Sequence, residues 1–270
     1  MRDLFFKLFE TSHFNTGIKI EPFNFAHIIY LLIIFGSIVG GYFLLRKESE
    51  QYKEKIMRVL VWVLLVSYVS DFFVHEFVYG GLNMDKLPFH ICTVLCPLAV
   101  ILQNCKNKRI KEPVVVLAIL APLMYLCYPA SVGSGEPWCY QAVQTMFYHG
   151  LLLAWGVLNI ALGLVRPHLK NSWTTAVLLV CITLWAKLGN TLYRNSDGEE
   201  FNWFFLEEDA FYIGLVENGV IPQWLLMIIN PVVFFAAALV VYGISHAINN
   251  KRGFDDSQSI QPAQKEYICH

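Results

Sequence analysis

Runs of apolar residues alternate with short polar connections from residue 24 to residue 247. The hydrocarbon core of a bilayer, about 30 Å thick, takes roughly 20 apolar residues of helix to cross. Seven segments qualify: 24–45, 56–79, 87–105, 113–129, 143–165, 173–193 and 222–247. The pattern predicts an all-α, polytopic membrane helix bundle of about seven transmembrane helices, forming one domain over residues 1–248. The fourth segment is the shortest and contains Pro122, while Pro97 and Pro231 lie in the third and seventh. Local kinks are expected at these prolines, with the freed backbone groups satisfied by neighbouring helices. The first 23 residues do not have the pattern of a cleavable signal peptide, so the first helix is expected to act as its own signal. Residues 249–270, ending DDSQSIQPAQKEYICH, read as a disordered tail.

Composition agrees with the pattern. Hydrophobic residues make up 56% of the chain and charged residues 15%, with a mean hydropathy of +0.48. Soluble domains carry about 25% charged residues. The net charge of -1 gives no nucleic-acid signal. The seven cysteines, at 92, 96, 105, 127, 139, 181 and 269, form no CxxC pair and no regular spacing, which indicates neither a disulfide framework nor a cysteine zinc site. There is no nucleotide-binding loop, so no soluble cofactor is implied.

The position of the charges sets an expected orientation. One side of the seven segments collects Arg46, Lys47, Lys53, Lys55, Arg58, Lys106, Lys108, Arg109, Lys111, Arg166, Lys170, Lys251, Arg252 and Lys265. The other side has only Arg2, Lys7, Lys19, Lys86 and Arg194. Basic residues favour the cytoplasmic side, so the N-terminus is expected outside and the C-terminus in the cytoplasm.

One outer connection is long. Residues 194–221 alternate aromatics (Phe201, Trp203, Phe204, Phe205, Phe211, Tyr212) with the acids Glu207, Glu208 and Asp209. This suits an interfacial aromatic belt. It suits equally a lid over an outward-facing pocket.

Ionisable residues inside spans are costly and by default suggest function. Span direction puts Asp71, His75 and Glu76 near the outer end of the second span, and His90 and Cys92 at the outer start of the third. His149 lies about two turns into the fifth; Lys187, Asn190 and Tyr193 end the sixth; Asn230 and Pro231 lie about two turns into the seventh, and His27 starts the first. Only His246 falls clearly at the cytoplasmic end. A shared depth points to one polar cavity opening outward, although interhelical hydrogen bonds at a common level would give the same pattern. Asp71 and His75 are four apart and share a helix face. His90 and Cys92 are two apart and point to nearly opposite sides if both are helical. A base for Cys92 would then come from another helix, and His149 fits by depth. An imidazole beside a thiol favours the reactive thiolate, and the helix N-terminus adds to this. Pro88 is expected to start the third helix. On these residues alone, structural polar groups, a Cys92–His149 dyad, a metal site and a transport role all stay open.

The stretches LPFHICTVLCPL (87–98), APLMYLCYPA (121–130), VQTMFYHGLLLAWGVLN (143–159) and LGNTLY (188–193) resemble the YwaF-like family of integral membrane proteins. The resemblance runs from about 24 to 247, and its most specific parts are the LPxHxC opening and His149-Gly150. The family is similar to a eukaryotic transmembrane acyltransferase of ether phospholipids and, more distantly, to the androgen-induced-gene membrane hydrolases. The resemblance implies a multi-pass protein of a bacterial cell membrane whose partners are membrane lipids, a phospholipid or lysophospholipid substrate. It puts the nucleophile on Cys92 and its histidine partner on His149.

The leading expectation is a lipid acyltransferase or lipid-ester hydrolase with a Cys92–His149 dyad. His90, Asp71 and His75 would support the site or touch a head group, and Asn190 or a helix N-terminal N–H would stabilise an oxyanion. A zinc-dependent lipid hydrolase would instead draw ligands from His75, His90, His149 and Asp71. A transporter or sensor would use Lys187 paired with Asp71 or Glu76. The orientation is checked with reporter fusions. A fluorescent protein on the C-terminus should fluoresce, and alkaline phosphatase at the same place should be inactive; the opposite result reverses the orientation.

Overall fold

A computed structural model describes residues 20–82, 84–105, 107–129, 136–193, 198, 201–207 and 215–251. Seven α-helices run through these residues, with no strand among them: α1 (Phe25–Leu45), α2 (Glu50–Tyr79), α3 (Ile91–Gln103), α4 (Lys108–Cys127), α5 (Tyr140–Ala161), α6 (Ser172–Leu192) and α7 (Leu226–Lys251). Residues 249–251 of the expected 249–270 tail instead continue α7; the rest of it, from residue 252, and residues 1–19 lie outside the described residues.

Five of the seven helices, all but α3 and α5, are long and apolar enough to cross a membrane. The expected count of about seven spans is met by seven helices, of which α3 and α5 do not reach that measure of length and apolarity. Helix α3 has 13 residues and rises only about 20 Å. Helix α5 has 22 residues but carries Tyr140, Gln141, Gln144, Thr145, Tyr148, His149 and Asn159. It tolerates them because it packs against α1, α2, α3 and α4. Gln144, Thr145, Tyr148, His149 and Asn159 are buried and meet protein rather than lipid, while Gln141 in the first turn is exposed. Helices α6 and α7 pair with each other and reach the rest mainly through α4, with α6 also touching α3.

Local chemistry explains the helix limits. The Asn24 side chain caps α1 by accepting from His27 N, and Ser49 caps α2 by accepting from Tyr52 N. Gly80, at φ 75°, ends α2 in the left-handed conformation that glycine adopts without a steric cost. Pro97, Pro122 and Pro231 each lie within a continuous helix. Gly156 lets α5 close on α4: a Cβ there would stand 2.8 Å from Ile119 Cγ1 and 3.0 Å from the Ala118 carbonyl carbon.

Helices of alternating direction give the bundle two ends, and both hold polar networks. At one end His27 is fully buried. Its Nδ1 accepts from Phe23 N at 2.8 Å, so Nε2 carries the proton and donates to Leu126 O at 2.7 Å, tying α1 to α4. His149 lies near this histidine, stacked on Tyr125, which directly precedes Leu126 on α4.

The opposite end corrects the expectation that the ionisable residues gather at one depth only. Helix α2 begins at Glu50 and α4 at Lys108, each about a turn or more before the expected span. Lys111 and Glu112, expected at the edge of a loop, are instead buried inside α4. Gln103 is the hub. Its Nε2 donates to Glu54 Oε2 at 2.6 Å, its Oε1 accepts from Trp155 Nε1 at 2.8 Å, and its carbonyl accepts from Lys111 Nζ at 3.3 Å. Lys111 also pairs with Glu54 at 3.9 Å. Beside it, Glu112 accepts from His168 N at 3.1 Å and from Asn171 Nδ2 at 3.1 and 3.2 Å. Replacing Gln103 with leucine strands the Trp155 indole N–H and one Glu54 oxygen. An unmet buried polar group costs about 1–3 kcal/mol. Gln103→Leu is therefore expected to lower the apparent melting temperature of the detergent-purified protein by several degrees, read from intrinsic tryptophan fluorescence.

Candidate functional site

The connection from α2 to α3 is held at almost every residue. His75 Nδ1 bonds Gly81 O at 2.6 Å, and a carbonyl can only accept, so this nitrogen carries a proton. Tyr68 OH donates to Lys86 O at 2.6 Å, and Leu87 N donates to Met84 O at 3.1 Å. Trp185 Nε1 donates to Pro88 O at 2.6 Å, and Thr93 Oγ1 donates to Leu87 O at 3.1 Å and His90 O at 2.8 Å.

These bonds hold residues 87–90 as a turn, and α3 begins only at Ile91. Pro88 therefore does not start the helix; it lies three residues before it. His90 is the residue just outside the helix, in an extended conformation with φ -78° and ψ 148°. The helical spacing argument that sets His90 opposite Cys92 does not apply, since only Cys92 is helical. The His90 ring instead meets Phe205 edge-on at 5.3 Å.

Cys92 is the second residue of α3 and is buried. Tyr148 OH donates to Cys92 O at 2.8 Å, which joins the first turn of α3 to the turn of α5 that carries His149. His149 Nδ1 bonds Thr145 O at 2.8 Å one turn back. Again the carbonyl forces the proton onto Nδ1, leaving the Nε2 lone pair available as an acceptor. The ring lies flat on Tyr125, with centroids 3.8 Å apart and planes 13° apart, and Tyr148 meets it edge-on at 5.3 Å. Two tyrosines and a backbone carbonyl thus fix the orientation of this imidazole.

Asp71, on α2, is buried and pairs with Lys86 Nζ at 3.8 Å. Lys86 stands close enough to interact electrostatically with His90, Cys92 and His149 as well. Asp71 is likewise within electrostatic reach of His75.

Lys187 and Asn190 belong to a different cluster. Lys187 Nζ meets Glu207 Oε1 at 2.8 Å, and Asn190 Nδ2 donates to the same oxygen at 3.1 Å. Gln223 Nε2 donates to Glu207 Oε2. Asn190 also accepts from Trp203 N at 3.0 Å and donates to Trp203 O at 3.3 Å. Its amide thus clamps the 201–207 segment. Lys187 takes Glu207 rather than Asp71 or Glu76 as its partner.

Within the long connection, residues 201–207 fold into the bundle end. Phe201, Trp203, Phe204, Leu206 and Glu207 are buried. Trp203 stacks between Phe201 at 4.4 Å and Phe89 at 4.8 Å, and Phe89 stacks on Trp185 at 4.9 Å. Gly189 makes room for this stack: a Cβ there would stand 2.5 Å from the Phe89 ring. Phe204 and Phe205 hold positive φ values of 59° and 55°, a conformation L-residues rarely adopt. Asn230 Nδ2 bonds both carbonyls, at 3.0 and 2.7 Å. Residues 208–214, including Phe211, Tyr212, Glu208 and Asp209, lie outside the described residues, as does Arg194.

Among the described residues, no three His, Cys, Asp or Glu side chains come together as a metal could require. His75, His90, His149 and Asp71 therefore do not form a joint ligand set.

Tyr148, Tyr125, Thr93 and Lys86 carry much of this geometry, and sequence reasoning passed them over as site residues. A tyrosine in an apolar helix looks the same whether its hydroxyl meets water or a carbonyl. Lys86 looked like a loop charge.

No curated protein and no solved structure matches the chain. A family profile does match, over residues 22–243, a range that takes in α1 through most of α7, and the chain belongs to the TMEM164 family of transmembrane proteins.

Proposed function

We propose that this multi-pass membrane protein is a lipid acyltransferase or lipid-ester hydrolase, with Cys92 as the nucleophile and His149 as the general base. The observation that carries the reading is the Tyr148–Cys92 bond, which joins the turn bearing the thiol to the turn bearing the imidazole. The proton on His149 Nδ1 adds support, since it reserves Nε2 for base catalysis. The LPxHxC opening and the His149-Gly150 pair, similar to a YwaF-like pattern and through it to an ether-phospholipid acyltransferase, supply the assignment of roles.

In this mechanism His149 Nε2 takes the Cys92 Sγ proton as the thiolate adds to the ester carbonyl carbon. The tetrahedral intermediate collapses with a C–S bond formed and the ester C–O bond broken. The departing lipid alkoxide takes the proton back from the imidazolium. A second hydroxyl then enters, from a lysolipid for transfer or from water for hydrolysis. His149 removes its proton, the oxygen attacks the thioester, and the Cys92 thiolate leaves and is reprotonated. The first-turn backbone N–H groups of α3 have no helical acceptor and suit an oxyanion. They are better candidates than Asn190, whose amide is occupied at Trp203 and Glu207.

The structural description favours this over the two rivals. A zinc site lacks a converging ligand set among the described residues. A transport path through Lys187 loses its expected acidic partner to Glu207.

Purified protein in vesicles with a phospholipid acyl donor and a lysophospholipid acceptor is the direct assay. Cys92→Ala and His149→Ala are each expected to lower turnover by at least about a hundredfold, consistent with the loss of a nucleophile or general base. Tyr148→Phe keeps the ring and loses one hydrogen bond, so a loss of about tenfold or less is expected. Equal turnover by Cys92→Ala and the unmodified protein rejects the proposal.

A further inference from the structure

We propose that Lys86 is the anchor for the phosphodiester headgroup of a lipid whose ester bond is presented to Cys92 and His149. This rests on the acyl-transfer reading for the position of the ester, but the headgroup site itself stands on separate geometry.

The ammonium group of Lys86 is incompletely used. Its only polar partner among the described residues is Asp71 Oδ2 at 3.8 Å, which is too long for a hydrogen bond. Asp71 Oδ2 is itself buried without a hydrogen-bond donor among the described residues. The Lys86 side chain is 21% exposed against 6% for Asp71, so the ammonium is the accessible member of the pair. A lysine held near a buried carboxylate without bonding to it keeps its three N–H donors for an acceptor from outside. A phosphodiester supplies such an acceptor, since lysine binds phosphate as a point charge with freely oriented donors.

The mounting of Lys86 also fits a binding role. Its carbonyl is fixed by Tyr68 OH, and the next residue is tied both to Met84 O and to Thr93 Oγ1. The side chain thus projects from a turn fastened to α2 and α3, the helices that carry Asp71 and Cys92. Lys187, the other lysine at this end among the described residues, is committed to Glu207 at 2.8 Å.

Spacing within the ligand completes the argument. In a glycerophospholipid the phosphate and the nearer ester oxygen sit on adjacent glycerol carbons. A phosphate held at Lys86 therefore leaves an ester only a few bonds away. Lys86 stands in the turn that runs directly into His90 and the first turn of α3, where Cys92 lies, and Tyr148 OH ties that turn of α3 to His149's turn of α5. The buried Asp71 keeps the ammonium in place while the site is empty.

The test is lipid retention by the full-length protein, read by native mass spectrometry from detergent micelles doped with dioleoyl phosphatidylglycerol or with dioleoylglycerol, which has the same chains and esters but no phosphate. The unmodified protein should retain the phospholipid in preference to the diacylglycerol. Lys86→Gln should lose about tenfold of that preference, the worth of one charge-assisted contact. Lys86→Arg should keep most of it and melt near the parent temperature; Lys86→Gln, which removes the counter-charge of buried Asp71, should melt a few degrees lower yet retain the diacylglycerol as the parent does. Equal preference in Lys86→Gln and the parent overturns the proposal. So does an equal loss of both lipids, which marks damage to the fold, and so does displacement of the lipid by millimolar inorganic phosphate, which marks a site for the free ion. Cys92→Ala should retain the phospholipid as the parent does. A Lys86-dependent preference in a protein that turns over no ester supports the headgroup site and removes only the acyl chemistry.

Discussion

A helix surrounded by protein inside a membrane can carry polar side chains only where each has a partner, because no water is present to replace one. Helix α5 lives largely under that constraint: most of its buried polar side chains are met from neighbouring helices or from its own backbone, Asn159 Oδ1 being an exception among the described residues. Trp155 is met by Gln103 from α3, and Tyr148 by the backbone of Cys92. Gln144 is met by the Ser67 carbonyl of α2 at 3.2 Å, and His149 by its own helix and by the face of Tyr125. Glycines 150 and 156 let α1 and α4 approach closely. The short helix α3 fits the same picture: tied to α5 at both ends, by Cys92 and by Gln103, it need not span the membrane to be held in place.

The candidate site follows from that arrangement. A buried thiol near the start of α3 and an imidazole of defined tautomer on α5 are consequences of how those two helices are fastened together. The turn before α3 adds Lys86 and His90. The 201–207 segment packs stacked aromatics against the same region, held by Asn190, Asn230 and Glu207, and Phe205 meets the His90 ring.

Much of the helical plan could be read from the chain, because about twenty apolar residues in a row leave few other choices. Start and end points were less legible where a side chain is ambiguous. Pro88 and Phe89 read as the start of an apolar helix, but Trp185 and Thr93 claim the neighbouring carbonyls and delay it to Ile91. Lys111 read as a loop residue because the acid that pairs with it, Glu54, is distant in sequence, as is Asn171, the partner of its neighbour Glu112. The acids and aromatics of 201–207 suit an interface as well as a core, and only their contacts with Asn190 and Asn230 decide between them. Cys92 and His149 were legible as candidates; the proton position on His149 was not, since it depends on a carbonyl that any helix supplies.

The central claim is that Cys92 accepts an acyl group from a lipid ester. The most direct measurement is the intact mass of the purified protein after incubation with phospholipid vesicles without an acceptor, followed by peptide mapping. The account predicts one fatty-acyl adduct, on the peptide carrying Cys92, removed by neutral hydroxylamine as a thioester is. An adduct on another residue, or sustained turnover of lipid with Cys92 never modified and dispensable, contradicts it.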